Sequence, residues 1–137
     1  MGIFDLFGKK NVSEDLSKKT PFILTTEFVP YHIKSKEKNS CVVNIKLKNI
    51  TPEPVLSSII IELPKQLSFD AMGISKQKEL RVGNIGPNEE KFSSIDIYGG
   101  IATDKGNYTI TFTAFIHYRD YAHVINEMRK RSILEAI

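Results

Sequence analysis

Residues 41–50 read Cys-Val-Val-Asn-Ile-Lys-Leu-Lys-Asn-Ile, and their alternation decides the fold class. Cys41, Val43, Ile45 and Leu47 fall on one side, with Val42, Asn44, Lys46 and Lys48 on the other. A period of two is what a half-buried strand requires, because successive side chains leave a pleated backbone on opposite faces. A helix would group apolar residues three and four apart instead.

Reading outward toward the C-terminus, Thr51-Pro-Glu-Pro54 is a turn, since neither proline can donate to a ladder. The next run, VLSSIIIEL, places Val55, Ile59, Ile61 and Leu63 on one face. A short LSFD segment follows Pro64, KELRVGNI turns Leu80 and Val82 inward, and Gly86-Pro87-Asn88 makes a sharp turn. KFSSIDIY alternates again through Ile95 and Ile97, and Asp104-Lys-Gly-Asn107 closes a loop. In YTITFTAFIHY, residues 108–118, Tyr108, Ile110, Phe112, Ala114 and Ile116 face one way, with Thr109, Thr111 and Thr113 opposite.

Toward the N-terminus, PFILTTEFV is a strand that Pro30 ends or confines to an edge, and KSKEKNS is a charged loop. The C-terminal run YAHVINEMRKRSILEAI admits two readings. Propensity favours a helix with Val124, Ile125 and Met128 as its stripe. A strand would carry Val124, Met128 and Leu134 in a hairpin with the preceding strand across the turn Tyr118–Ala122. Without that strand the long run 108–118 would be left with an apolar edge, so the strand is adopted. Short strands separated by Gly, Pro and Asn turns predict an all-β, immunoglobulin-like antiparallel β-sandwich of about 7–8 strands. The domain spans residues 21–137, and residues 1–20 form a short amphipathic tail and a polar linker.

Three local patterns resemble the bacterial and archaeal immunoglobulin-like repeats of the CARDB and related cell-surface-adhesion type. One is V-x-I-x-L-x-N-x-T at Val43, Ile45, Leu47, Asn49 and Thr51. Another is I-G-P-x-E at Ile85, Gly86, Pro87 and Glu89. The last is G-x-Y-x-I-x-F ending in Y-x-D, at Gly106, Tyr108, Ile110, Phe112, Tyr118 and Asp120. The resemblance implies structural roles for Pro87, Gly106 and Tyr108, the last as a corner tyrosine bonded to upstream backbone. It also implies a final strand after Y-x-D. Such relatives usually serve as spacers or adhesion modules in extracellular chains. This sequence departs from them in its apolar N-terminal tail and in showing no secretory signal, so the adhesion role is not carried over.

Composition narrows the function. A net charge of +3 is far from the dense Lys/Arg stripes that neutralise a nucleic-acid backbone, and the basic groups lack an aromatic platform. Nucleic acid is therefore not an expected partner. Cys41 is the single cysteine, so no internal disulfide forms, and at the head of an apolar face it reads as a core residue. His32, His117 and His123 fall at no metal-ligand spacing and read as surface or edge residues, although His117 and His123 flank a turn. No nucleophile elbow or phosphate-cradling loop occurs, and Asp70, Asp96, Asp104 and Asp120 form no acid–base pair. No catalytic residue, cofactor or metal is expected. The expected setting is cytoplasmic, with membrane association as an addition.

The decapeptide MGIFDLFGKK remains. Ile3, Phe4, Leu6 and Phe7 with Lys9 and Lys10 suit a docking peptide for a partner's groove or a membrane surface. Burying its large side chains is worth roughly 1.5–3 kcal/mol each. Ordering the backbone costs about 1–2 kcal/mol per residue. Membrane contact through this segment alone is therefore weak and reversible. The alternative is that it packs back on its own sandwich. The reading is a non-enzymatic module that binds a protein partner through edge strands or loops. Its alternative is a peripheral membrane adaptor recruited through residues 1–10. Sandwich edges also admit a homodimer.

Overall fold

The structure is a computed structural model, and it describes residues 21–137. The eight strands are β1 (Phe22–Val29), β2 (His32–Ile33), β3 (Asn39–Asn49), β4 (Val55–Glu62), β5 (Gln77–Ile85), β6 (Glu90–Gly99), β7 (Gly106–His117) and β8 (Val124–Ala136). They form a three-stranded sheet ordered β1-β3-β6 and a five-stranded sheet ordered β2-β8-β7-β4-β5.

The alternation of β3 is the spine of the smaller sheet. Cys41, Val43, Ile45 and Leu47 are all buried against the other layer, where they meet Ile59 and Ile61 of β4 and Ile110, Phe112 and Ala114 of β7. Ile95 and Ile97 of β6 extend the same face. The strands thus turn apolar side chains into one layer between the sheets. Such burial is worth about 25 cal/mol for each Å² removed from water.

The C-terminal run is a strand from Val124 to Ala136, with Met128, Leu134 and Ala136 in the core and β7 as its antiparallel neighbour. Tertiary pairing overrides helix propensity here because β7 is buried and needs partners on both sides. Val124 differs from the expectation: it is half exposed, at the first position of β8 beside a register shift opposite Ile116 and His117.

Three further details differ from the sequence reading. The sandwich is not wholly antiparallel, because β2 pairs with β8 in parallel through His32 and Glu135, and Ile33 and Ala136. The chain leaves the smaller sheet after Val29, passes a cis Val29–Pro30 peptide, and joins the larger sheet at once. The loop expected at 34–40 gives way to β3 already at Asn39, whose side-chain carboxamide bonds the backbone of Lys34 and Glu37. Leu80 and Val82 are only partly buried, since β5 is an edge. A bulge opposite Ser57 and Ser58, with Gly83 at φ +92°, then brings Ile85 fully inside.

Candidate functional site

The two flanks of the sandwich treat their edges differently. On one flank β1 lies beside β8, although they belong to different sheets. The Lys130 ammonium donates to the Leu24 carbonyl at 2.9 Å, and the hydroxyls of Thr26 and Ser132 are 2.8 Å apart. The switch from β1 to β2 completes the seal, with Ile137 and Ile33 joined by a backbone bond of 2.8 Å.

On the other flank β5 and β6 are both terminal strands. The β5 edge is interrupted by its bulge and carries Lys78, Glu79 and Arg81, the features that blunt an edge against pairing. The β6 edge is different. Tyr98 exchanges both backbone bonds with Ser68, at 2.8 and 3.1 Å, so its N–H and C=O point away from β3. The β3–β6 ladder runs without a register shift. In such a ladder outward and inward backbone groups alternate, so Glu90, Phe92, Ser94 and Asp96 also direct theirs to the free edge. No strand among the described residues covers that stretch. Phe92 sits in its middle with 71% of its surface exposed. Beside it Thr25, Asn44, Lys46 and Ser94 line a shallow depression of about 370 Å³ on the sheet's outer face.

The turn that launches β6 is rigid. The Glu89 N–H bonds the Gly86 carbonyl at 3.0 Å, with Pro87 and Asn88 at the corners and Asn88 at φ +62°. This is the proline-then-positive-φ order of a type II turn. The Gly86 N–H donates to the Glu89 carboxylate at 2.7 Å. That bond, with Lys91 behind it, holds the Glu89 carboxyl below the usual carboxylate range. Asn49 anchors the turn from below and is fully buried. Its Nδ2 donates to the carbonyls of Glu53, Ile85 and Gly86, and its Oδ1 accepts from the Thr51 N–H and hydroxyl. The N-x-T pattern is thus a structural clasp. Sequence reasoning singled out its letters but not this role.

The residues assigned structural parts fall far from one another. Pro87 is in the β5–β6 turn. The Tyr108 hydroxyl donates to the Asp104 carbonyl four residues upstream at 2.6 Å. Gly106 begins β7 at φ +150°, a value that side-chain-bearing residues rarely adopt. Ile3, Phe4, Leu6, Phe7, Lys9 and Lys10 lie outside the described residues.

His117 corrects the expectation of a surface or edge histidine. It is buried, its Nε2 is 2.6 Å from the Ser58 hydroxyl, and the Tyr121 ring lies edge-on at 5.1 Å with Arg81 stacked beyond. Sequence missed this because the outer face of β7 is roofed by a side chain from the following turn. Among the described residues Nδ1 of His117 has no hydrogen-bond partner, so none of their carboxylates orients the ring as a catalytic pair with Ser58 would require. His123 turns elsewhere, to Asp120 at 2.8 Å. Among the described residues no cluster of three His, Cys, Asp or Glu is placed to hold a metal. Burial, with the Asp96 carboxylate adding to it, pushes the Cys41 thiol up to about 11, the opposite of what a nucleophile needs.

No family model and no curated protein matches the chain. Solved structures do. E. coli alpha-2-macroglobulin in its native conformation matches at 13% identity and a TM-score of 0.59, over 87% of this chain. The chain spans only 7% of that protein's length. AvmM, described as catalysing macrocyclization in alchivemycin A biosynthesis, matches at 8% identity and a TM-score of 0.52, over 86% of this chain and 89% of its own. A CARDB domain from Pyrococcus furiosus, solved with di-metal ions, matches at 17% identity and a TM-score of 0.47, over 85% of this chain and 89% of its own. At such identities the likeness is one of fold alone.

Proposed function

We propose that this chain is a non-enzymatic interaction module that takes an extended segment of a protein partner along the free edge of β6. The observation that carries the reading is the row of outward backbone groups from Glu90 to Asp96, which no strand among the described residues covers, while the β1 edge is sealed and the β5 edge blunted. Strand addition draws its affinity from such main-chain groups and its selectivity from side chains beside them. Phe92 is the apolar contact within reach, and Ser94, tied to Asn44 at 2.7 Å, is a polar one. A few net hydrogen bonds at about 0.5–1.5 kcal/mol each and one aromatic contact support roughly micromolar-to-millimolar binding. That range suits a transient partner.

The test is a proline at the edge. The Ser94 N–H faces the free side, so Ser94→Pro leaves the β3 ladder intact, as edge prolines do, and removes a donor the incoming strand needs. Partner capture from the native host, or dimer mass by light scattering if the partner is a second copy, should fall with Ser94→Pro and with Phe92→Ala. Capture that survives both substitutions in a folded protein would remove β6 from consideration.

A further inference from the structure

Beyond the capped end of β6, at the far end of the sandwich from Asn49, two loops show a surface that the strand-addition reading does not use. We propose that this loop end docks on an anionic lipid bilayer. Met72 and Ile101 line one groove there and are 82% and 78% exposed, and Ile74 in the same loop is nearly as free.

Their exposure is built into the loops. The Asp70 carboxylate accepts the N–H groups of Met72, Ile74 and Ser75 at 2.9, 3.1 and 2.7 Å. The backbone therefore curls around the acid, and the side chains are thrown outward. The second loop is tied to the first by buried Thr103. Its hydroxyl donates to the Gln66 carbonyl at 2.8 Å and accepts from the Gly100 N–H at 2.9 Å. Both apolar tips therefore sit on one framework and need little ordering to engage a surface, which lowers the entropic cost of binding.

Charge selects the surface. Lys38, Lys65 and Lys76 line the groove and no carboxylate does. Asp70 is occupied by backbone donors, and Asp104 on the second loop is paired with Lys36 at 2.6 Å. Aliphatic tips with ammonium groups behind them match the layering of a bilayer, acyl boundary first and phosphates above it. A protein hot spot would more often bury an aromatic or arginine anchor in a pocket.

The experiment is co-sedimentation of the full chain with vesicles of equimolar phosphatidylcholine and phosphatidylserine, with phosphatidylcholine alone as the reference. The chain should pellet with the anionic vesicles and be released by salt. Met72→Asp/Ile101→Asp and, separately, Lys38→Glu/Lys65→Glu should each lower partitioning by about tenfold or more. All four positions are exposed, so both variants should keep the parent's melting temperature. Phe4→Asp/Phe7→Asp should pellet like the parent. The proposal is overturned if the parent does not pellet, which leaves the surface to a protein. It is equally overturned if both loop-end variants pellet normally, or if Phe4→Asp/Phe7→Asp alone abolishes binding, which would assign it to the decapeptide.

Discussion

The β1–β8 flank and the β5–β6 flank are built from the same material, half-buried strands with outward backbone groups, yet they end differently. On the first, a lysine reaches a carbonyl of the neighbouring sheet, two hydroxyls meet, and the chain itself changes sheets to pair with β8. On the second, β5 is broken by a glycine bulge, and among the described residues β6 is covered only where Ser68 meets Tyr98. An edge left open is an aggregation hazard that folds usually manage. Here the management is selective. The lesson is that two flanks built of like strands can end differently, according to which side chains and backbone groups reach across them.

The contrast can be broken most forcefully from the closed side. Leu134 of β8 is fully buried, so Leu134→Ala should cost about 2–5 kcal/mol. Phe92→Ala on the open side should move stability by no more than about 0.5 kcal/mol while weakening partner capture. Urea unfolding of both variants tests the pair, and a large loss for Phe92→Ala would mean the open flank is structural. The next effect lies within β6 itself. Ser93 pairs with Ile45, and its backbone faces β3. Ser93→Pro should therefore lose about 1–3 kcal/mol, whereas Ser94→Pro should melt close to the parent. If the two prolines are equally harmful, the alternation inferred from Tyr98 is wrong.

The smallest effect concerns acid. The Glu89 carboxyl lies below its ordinary range because the Gly86 N–H and Lys91 favour its charged form. A group depressed on folding stabilises the native state above its unfolded pKa, roughly 4.3. That contribution fades as pH falls through the lower folded value. The parent should lose more melting temperature between neutral and strongly acidic pH than Glu89→Gln does. Parallel curves would show that the turn feeding β6 does not depend on this charge.

Much of the architecture was legible because it rests on local patterns. The alternation of 41–47 named four buried residues of β3, and the need of 108–118 for a second neighbour forced the C-terminal run into a strand against its helical propensity. What was not legible depends on residues meeting across the chain. The parallel β2–β8 pair joins positions about a hundred residues apart through two residues a side, too few to leave a periodic signal. Val124 has the sequence parity of Met128 and Leu134, but the register shift between Ile116 and His117 sets it opposite His117 and out of phase with them, half exposed. Asn49 and Thr51 were visible as letters, yet their partners Glu53, Ile85 and Gly86 become neighbours only when two turns converge. The candidate edge was hidden for the same reason. Which strand ends a sheet is a property of topology, not of that strand's own sequence.

Cys41 gives the molecule a kinetic property as well as a packing one. It is the chain's single thiol, almost wholly shielded, on a strand hydrogen-bonded to β1 on one side and β6 on the other. With its pKa near 11, on the order of one molecule in ten thousand carries a thiolate at neutral pH. A disulfide reagent must therefore wait until the end of β3 that carries Cys41, paired with Ile97 of β6, opens. In reagent concentrated enough to outpace reclosing, the rate at which the thiol is consumed is the rate at which this end of the smaller sheet opens, so that opening can be timed in water on the unmodified protein.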